Sequence, residues 1–426
     1  MKSSLWVRAL AVVGAVAILT VIVALFTSFG RRPSVYKVTE APPVDDPDFL
    51  ASLAGAMGSP VRSGGTAKLL NNGVEFFPAM LEAIRRARHT INFTAYIWEP
   101  GQASDQFFAA LTERARAGVQ VRLLLDGMGG LRAPREGLEA LRAAGAKVEP
   151  FRPPRFGKLT RFHKRTHRRA IVIDGTVGFT GGAAVADKWL GDAEYPDHWR
   201  DTMVQVTGPA AATLQTAFVS LWAPVAGELL SGPGFFPPQS DTPGLKHVGV
   251  ASSPSEDDHP LRLFFLQSFL AARHRLYITS PYFVPDGAVR AAVVARARAG
   301  VDVRVLLPNE LTDAKPIRRA SQRHYEELLA GGVRIYEYQP TMMHTKAVVV
   351  DGRWSVVGSA NMDIRSHELN AENVLGLLDE GFGAEMERAF RRDLARSREI
   401  KLAAWQQRGQ WPRLLERACA LFAEQY

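Results

Sequence analysis

The feature that most constrains the fold of this chain is a long internal duplication. The segment "ARHTINFT" is similar to "ARHRLYIT" further along the chain, and "RARAGVQVRLLL" is similar to "RARAGVDVRVLL". A third pair consists of "HRRAIVIDGTVGFTGGAAVAD", which starts at His167, and "HTKAVVVDGRWSVVGSANMD", which starts at His344. The three pairs occur in the same order, 185, 182 and 177 residues apart. A repeat of this period indicates two similar domains rather than a solenoid, whose repeats are shorter.

Each half has the pattern of an α/β domain. The apolar, β-branched runs "GVQVRLLLD" and "GVDVRVLLP" both follow a helix-like segment that ends in Ala-Gly, which is typical of a helix stop followed by a buried strand. We therefore expect two domains, over residues 66–226 and 259–426, related by a pseudo-twofold duplication. A linker rich in Gly, Pro and Ser, residues 227–258, is expected to join them, and a Pro-rich loop, residues 33–65, to precede them.

The N-terminal segment is predicted to be a membrane anchor, residues 1–32. No residue from Ala9 to Gly30 is charged, and as a helix this run would be about 33 Å long, which matches a bilayer core. A cleaved signal peptide is the alternative, but "FTSFGRR" is a poor cleavage site. Basic residues lie at both ends of the run, so the positive-inside rule leaves the orientation open. The net charge of +9 favours anionic partners, either phospholipid headgroups or nucleic acid.

The C-terminal tail, Phe382 to Tyr426, has helical periodicity and mixed charge. We expect its apolar face to pack on the second domain, and a membrane-surface role is the alternative. Cys419 is the one cysteine of the chain, which excludes an internal disulfide, and we expect it to be a helix core residue.

The repeated His motif groups the side chains that phosphate chemistry needs. In the second copy, His344 and Lys346 lie two apart on a strand-like run and point to the same face. The Asp351–Gly352 pair predicts a hairpin turn, and the returning strand brings Ser359 and Asn361 back beside the histidine. A cation and small donors can hold phosphate oxygens while a neutral imidazole attacks phosphorus. A His beside a Lys on a strand edge is usually a solvent-exposed pair without a functional role, but its repetition at the same spacing favours a functional site. Neither motif has metal-ligand spacing, so no metal is expected.

The second copy resembles the motif HxK(x)4D(x)6GS(x)N of the phospholipase D superfamily. Every position of that motif is matched, by His344, Lys346, Asp351, Gly358, Ser359 and Asn361. The resemblance covers nearly all of residues 70–426. The stretches "ITSPYFVPD", "VRIYEYQPTMMHTK" and "SANMDIRSHELNAEN" are more similar to bacterial cardiolipin synthases than to nucleases of the superfamily.

The first copy departs from this motif. His167 is in register because Arg169 and Asp174 follow it at the positions of the second copy's Lys and Asp, whereas His163 is out of register. Arg replaces the motif's Lys but keeps a charge that can bind phosphate. Ala184 stands where the motif has Asn, which removes one donor and predicts a slower enzyme rather than an inactive one.

The resemblance implies that the two motifs face each other across one site. By position in the family motif, His167 would be the nucleophile that forms a phosphohistidine, and His344 would be the general acid and base. This assignment of roles comes from the resemblance, because the residues alone do not distinguish the two histidines. The resemblance also assigns Glu372 to the orientation of a histidine, with Asp201 as its counterpart in the first half. The implied catalytic residues are thus His167, Arg169, Asp174, His344, Lys346 and Asp351, and Ser359 and Asn361 are implied to bind substrate.

The function that the resemblance implies is transfer of a phosphatidyl group between two phosphatidylglycerol molecules at the bacterial inner membrane, which yields cardiolipin and glycerol without a metal or cofactor. Hydrolysis of phospholipid to phosphatidic acid is the nearest alternative. Phosphodiester cleavage of nucleic acid is allowed by the positive charge, but the predicted anchor and the "PYFVPD" stretch argue against it. A non-catalytic lipid-binding protein is the third alternative if Arg169 and Ala184 disable the first copy.

Overall fold

The computed structural model describes residue 6 and residues 10–16, 41–154, 164–253 and 259–421. Met1–Lys37 and Val38–Tyr426 are separate units, and the second of these is compact. Of the anchor predicted over residues 1–32, residues 6 and 10–16 are described and helical, and the remainder lies outside the described residues. Within the described ranges, no helix combines the length and apolar character that a membrane crossing requires.

The described part of the chain alternates strands and helices. The strands are β1 (Arg62–Ser63), β2 (Ala67–Asn71), β3 (Thr90–Ala95), β4 (Gln120–Asp126), β5 (Lys147–Phe151), β6 (Ala170–Ile173), β7 (Val177–Gly181), β8 (Thr202–Thr207), β9 (Lys246–Ser252), β10 (Arg275–Thr279), β11 (Phe283–Val284), β12 (Asp302–Pro308), β13 (Arg334–Tyr338), β14 (Ala347–Val350), β15 (Trp354–Gly358), β16 (Met362–Asp363), β17 (Glu372–Leu378) and β18 (Ser397–Ile400). The α-helices are α1 (Asp48–Met57), α2 (Asn72–Arg86), α3 (Gln102–Arg116), α4 (Arg135–Ala143), α5 (Pro209–Ala226), α6 (Pro260–Leu270), α7 (Gly287–Arg298), α8 (Lys315–Gln322), α9 (Tyr325–Ala330), α10 (Glu380–Ala395), α11 (Leu402–Gln406) and α12 (Gln410–Ala420). A π-helical turn spans Arg365–Leu369.

The two large sheets have the same topology. The first has the strand order β2-β8-β7-β6-β3-β4-β5, and the second has β9-β17-β15-β14-β10-β12-β13 with β1 and β18 added at its edges. In both, three strands run parallel (β3-β4-β5 and β10-β12-β13) and the others pair antiparallel. The predicted pair of similar α/β domains is thus present, and strands of equivalent position carry the two His motifs.

The two sheets share one core between them. Successive side chains of a strand point to opposite faces, so on β8 Met203 packs with the helices of the first half, whereas Val204 and Val206 face the second sheet. There they belong to the same buried cluster as Val357 and Leu375. Helix α5 contacts strands of both sheets, and α10 contacts β2 as well as the strands of its own half. The halves are therefore joined by an apolar core between their sheets.

Two predicted boundaries are wrong. The loop predicted over residues 33–65 contains α1, which buries Phe49 and places its ring 5.2 Å from that of Trp354, and β1, which pairs with β9. The linker predicted over residues 227–258 contains β9, which pairs with β17 along seven residues. In both segments Pro, Gly and Ser concealed short elements: β1 and β9 belong to the second sheet, and α1 packs on the second half.

The hairpins of the two His motifs turn at Asp-Gly, as the sequence predicts. Asp174 and Asp351 adopt φ angles of 50° and 53°, and the glycine that follows each also has a positive φ. Each carboxylate accepts three backbone N–H bonds, Asp174 from Arg88–Thr90 at 2.7–2.9 Å and Asp351 from Arg273–Arg275 at 2.6–2.8 Å. These aspartates lie at the far end of the strand from the histidine of their motif. Each carboxylate fixes the turn to the start of the neighbouring strand, and the catalytic role expected for Asp174 and Asp351 stays a prediction.

Substitution of this aspartate separates the two roles. Asp351→Ala removes three charge-assisted acceptor contacts and leaves a left-handed φ to alanine, so we expect it to lower the free energy of unfolding by about 2–4 kcal/mol. Asp351→Asn keeps one acceptor oxygen and tolerates this φ, and should be milder. Thermal unfolding in detergent measures the effect, and turnover per folded molecule should stay near that of the parent. A large loss of turnover with an unchanged melting temperature would contradict the structural assignment.

Candidate active site

Two backbone bridges bring the motifs of the two halves together. Thr166 pairs with Ala371, and Arg200 pairs with Met343, both as isolated parallel bridges. His167 follows the first bridge and donates its backbone N–H to Ala371 at 2.8 Å. In the equivalent place on the second bridge, the backbone N–H of His344 donates to Arg200 at 2.8 Å. Each histidine therefore lies opposite the residue that follows the bridge in the other half.

Those opposite residues are Glu372 and Asp201, the two orienting carboxylates that the sequence predicts. Each histidine is paired with the carboxylate of the other half. The Nδ1 atom of His167 lies 2.9 and 3.0 Å from the two carboxylate oxygens of Glu372. The Nδ1 atom of His344 lies 2.7 Å from Oδ2 of Asp201. A carboxylate at Nδ1 favours the tautomer that donates from Nδ1, which leaves the lone pair of each Nε2 available. The site thus contains two imidazoles that are oriented in the same way.

The carboxylates are themselves fixed, by different means in each half. Ser359 Oγ donates to Glu372, so this hydroxyl supports the carboxylate rather than facing an open substrate site. Asp201 accepts from Trp189 Nε1 at 2.8 Å. Gly182 occupies the position of Ser359 in the first copy, and a Cβ atom there would lie 2.2 Å from a carboxylate oxygen of Asp201. This glycine is a third departure of the first motif, which the sequence reasoning missed although counting from His167 would have found it.

Two buried arginines next to these residues tie the halves together. Arg168 donates from Nε to the carbonyl of Glu372 at 3.1 Å and from Nη2 to that of Ser252 at 2.7 Å. Arg200 donates from Nε to the carboxylate of Asp393 at 2.9 Å. Both cross from the first half to the second. They were also missed, and the signal for them is their position directly beside a predicted site residue in "HRR" and "WRD".

A cation lies against each imidazole. Nη2 of Arg169 is 2.7 Å from Nε2 of His167, and its Nε and Nη1 atoms are buried without a hydrogen-bond partner among the described residues. Nζ of Lys346 is 3.2 Å from both ring nitrogens of His344 and 2.9 Å from its carbonyl oxygen. The buried Oδ1 of Asn361 has no partner within the described chain either. The free N–H donors of Arg169 and the ammonium of Lys346 can bind an anion with several oxygens, whereas Oδ1 of Asn361 is a free acceptor that can take a hydrogen bond from a hydroxyl.

The two departures that the sequence predicted in the first copy lie side by side. Arg169 and Ala184 line the same small cavity, together with Phe93 and Met203. A guanidinium is larger than an ammonium, and an alanine is smaller than an asparagine. The exchange of Lys for Arg is thus accompanied by a reduction in the volume of its neighbour.

Burial and mutual repulsion keep both histidines neutral. Burial lowers the pKa of His167 to about 4, and the charge of Arg169 acts in the same direction against the opposing attraction of Glu372. Burial, followed by the charges of Lys346 and Arg169, holds the pKa of His344 well below its usual value. Burial likewise holds the pKa of Lys346 well below that of a free lysine. The free site therefore disfavours positive charge, and a bound anion would reverse this.

The carboxylates differ in their tendency to ionise. Burial raises the pKa of Asp201 to about 6, against the opposing charge of Lys346. Burial acts in the same direction on Glu372, but the contacts with His167 and other donors outweigh it and leave the pKa of Glu372 lowered. Glu372 is therefore the more firmly ionised partner at neutral pH, and it can stabilise a positive charge that develops on His167.

Aromatic side chains form the walls of the site. The ring of Tyr96 meets that of His167 edge-on at 4.8 Å, and Trp199, Trp189 and Tyr282 have ring centroids 5.1, 5.2 and 6.5 Å from that of His344. Sequence reasoning did not identify them. Tyr96 and Tyr282 follow the first parallel strand of their halves, and the carboxyl ends of such strands are where ligands bind in α/β sheets. Within the described ranges, no group of three or more His, Cys, Asp or Glu side chains could hold a metal ion.

Comparison with known proteins identifies the family. The sequence model of the family "Cardiolipin synthase, PLD-like domain" matches residues 80–222 and 265–394. A cardiolipin synthase A of Pseudomonas fluorescens (strain SBW25) is 39% identical over 343 residues, which cover 80% of this chain and 71% of the relative. A cardiolipin synthase of Halalkalibacterium halodurans is 33% identical over 370 residues, covering 86% of this chain and 73% of the relative.

Among solved structures, the phosphatidylserine synthase of Haemophilus influenzae Rd KW20 is similar in fold, with a TM-score of 0.66 and 16% sequence identity over 88% of this chain and 97% of that one. The resemblance stated from the sequence is thereby confirmed, and the chain belongs to the family of cardiolipin synthases with PLD-like domains.

Proposed function

We propose that this protein is a membrane-associated phosphatidyltransferase of the cardiolipin synthase type. It moves a phosphatidyl group from one phosphatidylglycerol to a hydroxyl of another and releases glycerol. The observation that carries the proposal is the crossed pair His167–Glu372 and His344–Asp201, at 2.9 and 2.7 Å, in one site built by both halves. The names of the relatives, cardiolipin synthases at 33–39% identity, support this choice of substrate.

In the first step, Nε2 of His167 attacks phosphorus and the bond from phosphorus to the glycerol oxygen breaks. His344, which the bound phosphodiester anion favours in its protonated form, gives its Nε2 proton to that oxygen, so that glycerol leaves and a phosphatidyl-histidine remains. In the second step, the hydroxyl of a second phosphatidylglycerol gives its proton to His344 and attacks phosphorus, which breaks the bond to Nε2. The two steps restore both histidines, and no cofactor takes part.

The environment of the two histidines supports this division of roles. The nucleophile becomes positively charged when it bonds to phosphorus, and the lowered pKa of Glu372 keeps a negative charge at its Nδ1. The partner of His344 is Asp201, whose pKa is raised to about 6. Arg169 and Lys346, both buried, lie where the nonbridging oxygens of the phosphodiester would bind.

We also propose that the chain is held at the bacterial inner membrane. The uncharged run of residues 9–30 has the length of a single-pass anchor, and the net charge of +9 suits a surface rich in phosphatidylglycerol. The lipid substrate and the anchor would then occupy the same bilayer.

The function is tested with full-length protein and vesicles of phosphatidylglycerol, and the lipids are quantified by mass spectrometry. We expect cardiolipin and glycerol to appear in equal amounts. His167→Ala and His344→Ala should each lower the rate by about 1,000-fold or more, and the double variant should cost little beyond that because the two act as a unit. His163→Ala, out of register, is the matched control. Phosphatidic acid without cardiolipin would identify a hydrolase instead.

The lowered pKa values predict an unusual pH dependence. Protonation of His167 removes the nucleophile, and its pKa is lowered to about 4, so the acid limb of kcat/KM should lie below pH 6.5. A bound phosphodiester anion favours protonated histidine and raises both pKa values. The acid limb of kcat should therefore lie at higher pH than that of kcat/KM. Initial rates between pH 4 and 9 test this, and coincident limbs would argue against a phosphodiester bound beside the histidines.

The cavity shared by Arg169 and Ala184 predicts that the two positions are coupled. Arg169→Ala should lower the rate by about 100- to 1,000-fold, as expected for loss of one donor to the transition state. Arg169→Lys enlarges the cavity and should recover only part of the rate. Ala184→Asn alone should be harmful because the guanidinium fills the space, whereas Arg169→Lys combined with Ala184→Asn recreates the pair of the second copy and should exceed either single change. Additive effects in this double-mutant cycle would refute the coupling.

A further inference from the structure

Helix α12 carries an apolar stripe on its solvent side. The stripe is formed by Trp411, Leu414 and Leu415 of α12 and by Leu421, the residue after its end; their side chains are 68%, 55%, 36% and 79% exposed. Their spacing of three, four and seven residues places them on one face of the helix. Isolated exposed leucines are ordinary on a protein surface, but a continuous stripe led by a tryptophan is characteristic of a binding face.

The inward side of the same helix carries its acidic residue. Glu416 is 4% exposed and forms an ion pair with Arg408. Cys419 and Ala420 pack against Ile317 and Ala320 of α8. The polarity of α12 is therefore the reverse of that of a helix on a water-soluble surface. The expectation that the apolar face of the tail packs on the second domain holds for α10, which buries Phe382 and Phe390, but is wrong for α12.

The charge bordering the stripe is positive at Arg417. Residues 401–421 contain four basic side chains, of which Lys401, Arg408 and Arg413 form ion pairs with Glu399, Glu416 and Glu326. Arg417 borders the stripe, is exposed, and forms no ion pair within the described chain. A tryptophan and leucines flanked by arginines match the interface of an anionic bilayer, where the apolar groups enter the headgroup region and the cations meet lipid phosphates. The net charge of +9 of the chain favours the same anionic surface.

The stripe lies on an element that adjoins the wall of the site. Cys419 and Ala420 pack against the buried cluster of Val284, Ile317 and Ala320. Tyr282 packs against the same cluster, and its ring lies 6.5 Å from that of His344. We propose that the outer face of α12 inserts into the headgroup region of an anionic bilayer, as a second membrane contact besides the N-terminal segment. The reaction site is thereby held at the lipid surface by the folded domain itself. This proposal goes beyond the phosphatidyltransferase function and does not depend on turnover.

The insertion is tested on the full-length chain with a probe at one position. Cys419→Ser gives a cysteine-free background, in which Leu415→Cys carries an environment-sensitive fluorophore. Leu229→Cys, at a leucine that is 75% exposed just after α5, is the matched control. In vesicles of phosphatidylglycerol and phosphatidylcholine that contain a nitroxide-labelled lipid, we expect a blue shift and quenching at position 415 and neither at 229. Vesicles of phosphatidylcholine alone should give weaker quenching at 415.

Three results would overturn the proposal. The probe at 415 could keep the spectrum it has in water, or be quenched no more than the probe at 229. It could be shielded without lipid as the protein concentration rises, which would make the stripe an interface between copies of the chain. Quenching that is equal in phosphatidylcholine vesicles would remove the anionic preference. Since each readout is independent of catalysis, an inactive enzyme that inserts α12 would refute the proposed function and leave this inference standing.

A kinetic comparison adds a second readout. Trp411→Gln combined with Leu415→Gln should lower the rate on vesicles by about tenfold, which corresponds to the loss of one to two apolar anchors, while Leu229→Gln should not. On short-chain phosphatidylglycerol below its critical micelle concentration, both variants should match the parent. An equal loss on both substrates would mean that the stripe supports the fold, and no loss on vesicles would mean that it does not contact them.

Discussion

The site depends on the crossed pairing of each histidine with a carboxylate from the other half. This pairing exists because two backbone bridges, Thr166 with Ala371 and Arg200 with Met343, hold the halves in one register. A shift of either bridge by one residue would turn the carboxylate to the opposite face of its strand. Neither half contains a complete pair, so a single domain would retain the motif without the geometry. The buried arginines and the shared core between the sheets keep the register from slipping.

The electrostatics of the site are unfavourable in the free protein. Arg169 and Lys346 are both buried and each lowers the pKa of the neighbouring imidazole. Two carboxylates only partly compensate, and burial raises the pKa of Asp201. A group with one negative charge and several oxygens would satisfy the free donors and relieve the repulsion at once. Under the proposed function, a bound phosphodiester would relieve an electrostatic cost that the folded protein carries while the site is empty.

Local patterns allowed much of this to be predicted, and long-range contacts account for the rest. The duplication, the Asp-Gly hairpins and the position of His344 follow from short stretches of sequence. The pairing of His167 with Glu372 joins residues 205 positions apart, and it depends on how two sheets dock, which no spacing reveals. The resemblance implies a catalytic role for the aspartates of the motif, whereas their hydrogen-bond partners in the structure are backbone groups. Strand β9 was hidden in a segment whose remaining residues resemble a linker.

The pairing of β1 with the second sheet and the packing of α1 on the same half have a consequence for synthesis on the ribosome. Arg62 pairs with His247, and Phe49 packs on Trp354, so the partners of this early segment are translated 185 and 305 residues later. At ordinary rates of translation the segment waits roughly 10–60 s for them. During that time the first sheet can form, but α1 and β1 cannot yet pack on the second half. The segment of α1 and β1 therefore docks only after nearly the whole chain has been synthesised. A truncated product would keep the apolar face of α1 exposed to chaperones and proteases.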